Sequence, residues 1–148
     1  ELAGALRLPA GLAVRAGYTH LRTEILAVDR GSTAPAPFTV GQPLLRRPRH
    51  QAFVDATYAS DRVDAFLRVR GRGEVLDVDP SFGAFGGTLS APGHVTTDVG
   101  GAWRPFPGAR HAVFVRVTNL LDRSYEDVLG FPAAGRSVIA GLRLAHGR

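Results

Sequence analysis

The sequence predicts an all-β chain: an antiparallel sheet of about seven strands that forms part of a larger transmembrane β-barrel. Three observations predict it. Apolar and polar residues alternate with a period of two in seven separate segments, whereas no stretch sustains the period of an amphipathic helix. All ten charged residues inside those segments fall on one of the two faces that the alternation creates. The links between segments are alternately short and long, the pattern of outer-membrane barrels, which have tight turns on one side and longer loops on the other.

Taken in order, the first segment sets Leu2, Gly4, Leu6 and Leu8 against Ala3, Ala5 and Arg7. The second sets Leu12, Val14, Ala16 and Tyr18 against Ala13, Arg15, Gly17 and Thr19; beyond Tyr18 its apolar face continues as His20, Arg22 and Glu24, so this strand is expected to leave the hydrocarbon there. The third opposes Ala52, Val54, Ala56 and Tyr58 to Phe53, Asp55 and Thr57, and the fourth opposes Val63, Ala65, Leu67 and Val69 to Asp64, Phe66, Arg68 and Arg70. The fifth places Val95, Thr97, Val99, Gly101 and Trp103 opposite Thr96, Asp98 and Arg104. The sixth places Val113, Val115 and Val117 opposite Phe114, Arg116 and Thr118, and the seventh places Val138, Ala140, Leu142 and Leu144 opposite Ser137, Ile139, Gly141 and Arg143.

Short links fall at Pro9-Ala10-Gly11, Ser60-Asp61-Arg62 and residues 106–110; long ones span 21–50, 71–94 and 120–136. A soluble sandwich also alternates, so alternation alone does not decide between water and lipid. The apolar face here is small or aliphatic, with Tyr58 and Trp103 just before short turns, as in an aromatic girdle around a lipid-facing band. An odd seven strands leave two unpaired edges, which lipid does not tolerate, and the chain has no Met. The expectation is therefore a piece of a longer protein. No apolar run approaches the ~20 residues of a spanning helix, and the start is no secretory signal. Without cysteine, neither disulfides nor Cys-ligated metal is available.

Catalytic chemistry finds little support. The five histidines, at 20, 50, 94, 111 and 146, show no H-E-x-x-H spacing, and no G-x-S-x-G elbow is present. Gly71-Arg72-Gly73 lacks the rest of a dinucleotide fingerprint and reads as a flexible strand end. Asp77 and Asp79 have the spacing to share a hard cation, but no further acidic ligand is near, so a solvated loop is expected and no metal site. All 18 basic residues are arginine and the net charge is +5. They are spread one or two per strand and interleaved with Asp55, Asp64 and Asp98, which suits a solvated lumen rather than nucleic acid. Arg46, Arg47 and Arg49 form the one cluster, with anionic lipopolysaccharide as its candidate partner.

The stretch VTNLLDRSYEDVLGFPAAGRS carries a more specific signal. Asn119-Leu120-Leu121-Asp122 leaves one alternating segment, Tyr125-Glu126-Asp127 follows, and Gly135-Arg136 opens the next. This resembles the last two strands of TonB-dependent outer-membrane receptors, with their N-L-F-D-x-x-Y and P-G-R runs. Leu121 stands in place of the usual Phe, and Ala134 in place of a frequent Pro. Leu45-Arg46-Arg47-Pro48-Arg49-His50 is similar to the family's approach to a strand. The pattern is most similar to cobalamin and siderophore receptors.

The resemblance implies a barrel of about 22 strands, closed by an N-terminal plug that lies outside this chain, as does the segment that contacts TonB. It implies no enzyme activity and no cofactor, but uptake of a metal chelate such as a siderophore or cobalamin across the outer membrane of a Gram-negative bacterium. The partners are then membrane lipid, the remaining strands and the plug. Candidate ligand contacts are Phe82 and Phe85 in the long link 71–94, with Arg68 and Arg70 facing the lumen. One departure is the ending Ala145-His146-Gly147-Arg148, where the family's last residue is typically aromatic. A porin-like or structural barrel, or a soluble β-sheet binding module, is the alternative.

Overall fold

A computed structural model describes residues 1–28, 38–106 and 111–144, apart from the side chains of residues 84 and 85. Seven strands form one antiparallel sheet: β1 (Leu2–Arg7), β2 (Leu12–His20), β3 (His50–Ala59), β4 (Val63–Arg72), β7 (His94–Trp103), β8 (Ala112–Thr118) and β11 (Ser137–Arg143), hydrogen-bonded in that order. Each of the seven expected segments is one of these strands, displaced at either end by two residues at most. The link through residues 106–110 lies largely outside the described residues, as does the ending 145–148.

The long connections were expected without regular structure, and here the fold differs. The second folds into a hairpin of β5 (Val75–Asp79) and β6 (Gly83–Ala91), and the third carries a small hairpin of β9 (Glu126–Val128) and β10 (Phe131–Pro132). Alternation fails to mark β5 because both its faces are covered and the buried one mixes polarity: Val75 and the charged Asp77 are buried while Leu76 and Val78, opposite, are half-covered. In β6, Gly83, Gly86 and Gly87 hide the strand, since glycine has low β propensity. Gly71 and Arg72 are not a flexible end either. Both belong to β4, and the Gly73 N–H donates to the His50 carbonyl at 2.8 Å.

Strand length and side-chain exposure separate a membrane wall from a soluble sheet. β2 has nine residues, and β3, β4 and β7 have ten each, the length that crosses a hydrocarbon core when tilted. The described apolar core is confined to Val75, Ala91 and Ala112, and the first two belong to the β5–β6 hairpin rather than to the large sheet. Meanwhile Leu2, Leu6, Leu67, Trp103, Val138 and Leu142 stand exposed on one face of that sheet, Leu2 at 75%. A water-soluble domain of this size buries such side chains; a lipid-facing wall displays them.

The opposite face holds the charges, and the register orders them. Arg15 faces Asp55, Asp55 faces Arg68 and Arg68 faces Asp98, so the sign alternates from strand to strand across β2, β3, β4 and β7. The Asp55 carboxylate lies 3.3 Å from Arg15 and 3.2 Å from Arg68. Asp64 pairs with Arg104 at the short-link end.

Aromatic rings on this face sit over glycines of the next strand. Phe53 faces Gly17, Phe66 faces Gly100 and Phe114 faces Gly141. A Cβ at Gly17 would lie 2.4 Å from the Phe53 ring, and one at Gly100 would lie 2.5 Å from the Phe66 ring. Glycine is thus required by close approach, and the ring shields a backbone that would otherwise lie bare. The guanidinium groups of Arg68 and Arg116 lie 5.5 and 5.9 Å from the Phe66 centroid, on the order of a cation–π contact.

This contact predicts a coupled mutational effect. Gly100→Ala should destabilise the intact protein by about 1–3 kcal/mol through overpacking. A Phe66→Ala background should remove only part of that cost, because a Cβ at Gly100 would also lie 2.9 Å from the Val115 carbonyl oxygen. Urea unfolding in detergent of the two single variants and the double variant measures the coupling.

Candidate functional site

At the long-connection end, the charged face opens into a cleft of about 500 Å³. The alternation of β4 puts Arg68, Arg70 and Arg72 on this face, and the register sets His94, the first residue of β7, directly opposite Arg72. Thr19 from β2, Gln51 and Phe53 from β3 and Thr96 from β7 complete the wall. The chain returning after β8 lays Tyr125 and Asp127 over it. The Tyr125 and His94 rings meet with centroids 4.1 Å apart, and the Asp127 carboxylate lies 3.4 Å from His94 Nε2 and 3.6 Å from Arg72 Nε. His94 Nδ1 is buried without a hydrogen-bond partner.

The two arginines of this cleft differ in availability. Arg72 donates to the carbonyls of Glu126 at 2.5 Å, Gly73 at 3.1 Å and Pro92 at 3.4 Å, so it braces the loops. Arg70 keeps about half its side-chain surface exposed (53%) and has a carboxylate, that of Asp55, only at 4.0 Å. Burial and then the nearby Asp127 and Asp98 carboxylates push the Tyr125 hydroxyl above its ordinary pKa, so it remains a neutral hydrogen-bond donor.

The Asn119-to-Arg136 motif builds the frame that holds Tyr125 in place. Asn119 is buried and takes a left-handed backbone conformation with φ 51°, which Asn tolerates better than most residues. Its N–H donates to Asp98 Oδ1 at 2.9 Å. Its Nδ2 donates to the carbonyls of Arg123 at 2.9 Å and Ala134 at 3.3 Å, and its Oδ1 accepts the Arg123 N–H. One side chain thus joins both arms of the connection. The Leu120 N–H donates to the Thr97 carbonyl at 2.7 Å, returning the chain to β7. Asp122, also left-handed, accepts the Arg136 N–H at 2.7 Å and would lie 3.0 Å from a Cβ at Gly135. Asn119, Asp122, Gly135 and Arg136 therefore act as a frame, and Tyr125 is the member of the motif that reaches the cleft.

Asp77 is not solvated, contrary to the sequence expectation. It is fully buried and accepts hydrogen bonds from Arg46 Nε at 2.8 Å, the Val78 N–H at 2.8 Å and the Leu129 N–H at 3.0 Å. Burial alone would raise its pKa; the donors from Leu129, Arg46 and Val78 and the Arg46 charge outweigh that and hold it below the usual value. Asp79 instead caps the hairpin turn, accepting the N–H groups of Ser81 and Phe82. Among the described residues no group of three His, Cys, Asp or Glu side chains is placed to hold a metal ion. Arg46 is likewise drawn out of its cluster with Arg47 and Arg49 into this ion pair.

Of the expected contact residues, Arg70 lines the cleft, while Arg68 lies deeper in the ion ladder against Asp55. Phe82 is exposed at the tip of the β5–β6 turn, and Phe85 falls within β6 with its side chain outside the described residues. Sequence reasoning missed Arg72, His94 and Asp127 as cleft residues. Extending the β4 alternation by one more step would have found Arg72.

Residues 1–120 match the family model of the TonB dependent receptor-like β-barrel. Among solved structures, the siderophore receptor PiuA from Acinetobacter baumannii superposes with a TM-score of 0.70 at 17% identity, over 93% of this chain and 20% of that one. The ferric-catecholate import receptor Fiu from Escherichia coli K12 gives 0.65 at 20% identity, over 91% and 19%. The ferripyoverdine receptor of the Pseudomonas aeruginosa outer membrane gives 0.65 at 18% identity, over 93% and 18%. The chain thus spans about a fifth of the length of these receptors. No curated protein sequence matches it.

Two outcomes follow from this geometry. Asn119→Ala should speed protease cleavage within 120–136 of the intact receptor and cost about 2 kcal/mol or more, because several buried partners are left unpaired at once. The Asp77 carboxylate has a folded pKa depressed below the ordinary value of about 3.9. Its stabilisation is therefore present above pH ~4 and lost as pH falls through the folded value. Hydrogen exchange within 75–91, corrected for the intrinsic pH dependence of exchange, should stay slow at pH 5 and accelerate below about pH 4, whereas Asp77→Asn should exchange rapidly at both.

Proposed function

The chain belongs to the TonB-dependent receptor family, as part of its outer-membrane β-barrel, and from that premise we propose that the whole protein takes up an anionic metal chelate of the ferric siderophore class. In this reading the apolar face of the sheet meets lipid, the charged face lines the lumen and the long connections face the exterior. The remaining strands, an N-terminal plug and TonB are the partners such uptake requires. Binding and release are non-covalent.

The observation that carries this reading is Arg70 in the cleft. Its guanidinium is half-exposed and only loosely held by Asp55, so it remains available to an anion arriving from outside. A cleft of about 500 Å³ is of the size that encloses a small-molecule ligand. Tyr125, Thr19 and Gln51 offer hydrogen bonds around it, and the Phe53 ring offers an apolar surface. A ferric ion held by three dianionic catecholates carries net negative charge, which a cationic mouth attracts, whereas three monoanionic hydroxamates leave it neutral. Cobalamin presents mainly neutral amides and gains less from Arg70. The exposed Phe82 and the neighbouring Phe85 serve in this reading as apolar first contacts on the hairpin, and Arg68 as a deeper cation along the path.

The test is equilibrium binding of a ferric tris-catecholate, a ferric hydroxamate and cobalamin to the full-length receptor in outer-membrane vesicles. The anionic ferric tris-catecholate should bind best, ahead of the neutral ferric hydroxamate. Arg70→Ala should weaken that binding about tenfold or more, the scale of one charge-assisted hydrogen bond of about 1.5–3 kcal/mol, and Arg70→Lys should retain part of it. Cobalamin binding that exceeds every ferric chelate and ignores Arg70→Ala would overturn the assignment.

A further inference from the structure

One carboxylate touches three separate long connections. Asp77, in β5, belongs to the connection between β4 and β7. Its Oδ1 receives Arg46 Nε from the connection between β2 and β3, and its Oδ2 receives the Leu129 N–H from the turn between β9 and β10, which lies between β8 and β11. The Arg46 N–H also donates to the Leu76 carbonyl at 2.8 Å, so Arg46 is held by both main chain and side chain. It is held in a left-handed conformation with φ 55°, which a non-glycine residue keeps only where its surroundings enforce it. The neighbouring contact is equally close: a Cβ at Gly130 would lie 2.6 Å from the Pro80 ring, so the β9–β10 turn rests on the β5–β6 turn.

We propose that Asp77 is a positioning residue that fuses the described parts of the three long connections into one cap, which loosens as a single body. One of these links meets the cleft. Leu129 lies two residues after Asp127, so fixing its N–H fixes the short hairpin that holds Asp127 over Arg72 and His94. The connection of Arg46 carries no cleft residue, and the Arg46 side chain reaches the site through Asp77. The carboxylate is required because all three of its partners are donors. An amide of the same size would aim its own N–H₂ at one of them, leaving two donors face to face and a buried group unsatisfied. Each connection that loosens therefore breaks a bond to the same carboxylate and disturbs the acceptor that holds the others.

Hydrogen exchange on the full-length receptor in detergent tests this without any ligand, so its outcome is separate from the ligand reading above. Asp77→Asn and Arg46→Ala are compared with the unaltered protein, with exchange in β2, β3, β4 and β7 as the control for an intact barrel. Arg46→Ala alters a half-exposed side chain and serves as the gentler variant. Both should raise exchange about tenfold or more in 44–47, 75–79 and 126–131 together, with the control strands unchanged, and Arg46→Lys should restore most of the protection. The decisive segment is 126–131 in Arg46→Ala, which a purely local role would leave unmoved. If exchange there is unchanged while 44–47 loosens, the connections are independent and the proposal fails.

Discussion

Inside a hydrocarbon layer a strand has no water to satisfy its N–H and C=O groups, so every one of them must meet a neighbouring strand. The rest of this structure depends on that constraint. It keeps β1, β2, β3, β4, β7, β8 and β11 in continuous antiparallel register. Register in turn decides which side chains meet, because a slip of one residue would send the whole charged set into lipid. Arg15, Asp55, Arg68 and Asp98 fall in one row of alternating sign because the register places them there. The Phe–Gly pairs lock the same register sterically, each ring filling the space that a neighbouring Cβ would take.

The large sheet was legible because its two faces see different solvents. Lipid and lumen impose opposite polarity on successive residues, which is the strongest period-two signal a strand can carry. The connections see no such division. β5 is covered on both faces, β6 is written in glycine, and β9 and β10 are too short to show a period. Their folds are set by single polar groups acting over long sequence distances. Arg46 to Asp77 and Asp77 to Leu129 are pairings that no local pattern announces. The motif from Asn119 to Arg136 was recognisable as a pattern, yet the polar frame it builds around Tyr125 rests on bonds between its two arms that spacing does not announce.

The candidate site joins these two regimes. Its floor is the end of the regular wall, where Arg70 and Arg72 continue the β4 alternation past the hydrocarbon. Its roof is the irregular chain carrying Tyr125 and Asp127. The wall supplies cations at fixed height, and the connections decide which of them stays free. Arg72 is spent on three carbonyls, whereas Arg70, one step lower, keeps its guanidinium open. Rigid wall and tethered cap are thus parts of one electrostatic arrangement.

The central claim is that one face of this sheet meets lipid and the other meets a water-filled lumen. The chain contains no cysteine, so a spin label can be placed at each position of Val63–Arg72 in turn and its collisions with oxygen and with a water-soluble nickel chelate measured in reconstituted bilayers. The account predicts a strict two-residue alternation, with labels at Val63, Ala65, Leu67 and Val69 reached by oxygen and those at Asp64, Phe66, Arg68 and Arg70 shielded from it. Equal access of the water-soluble chelate to both sets would contradict it.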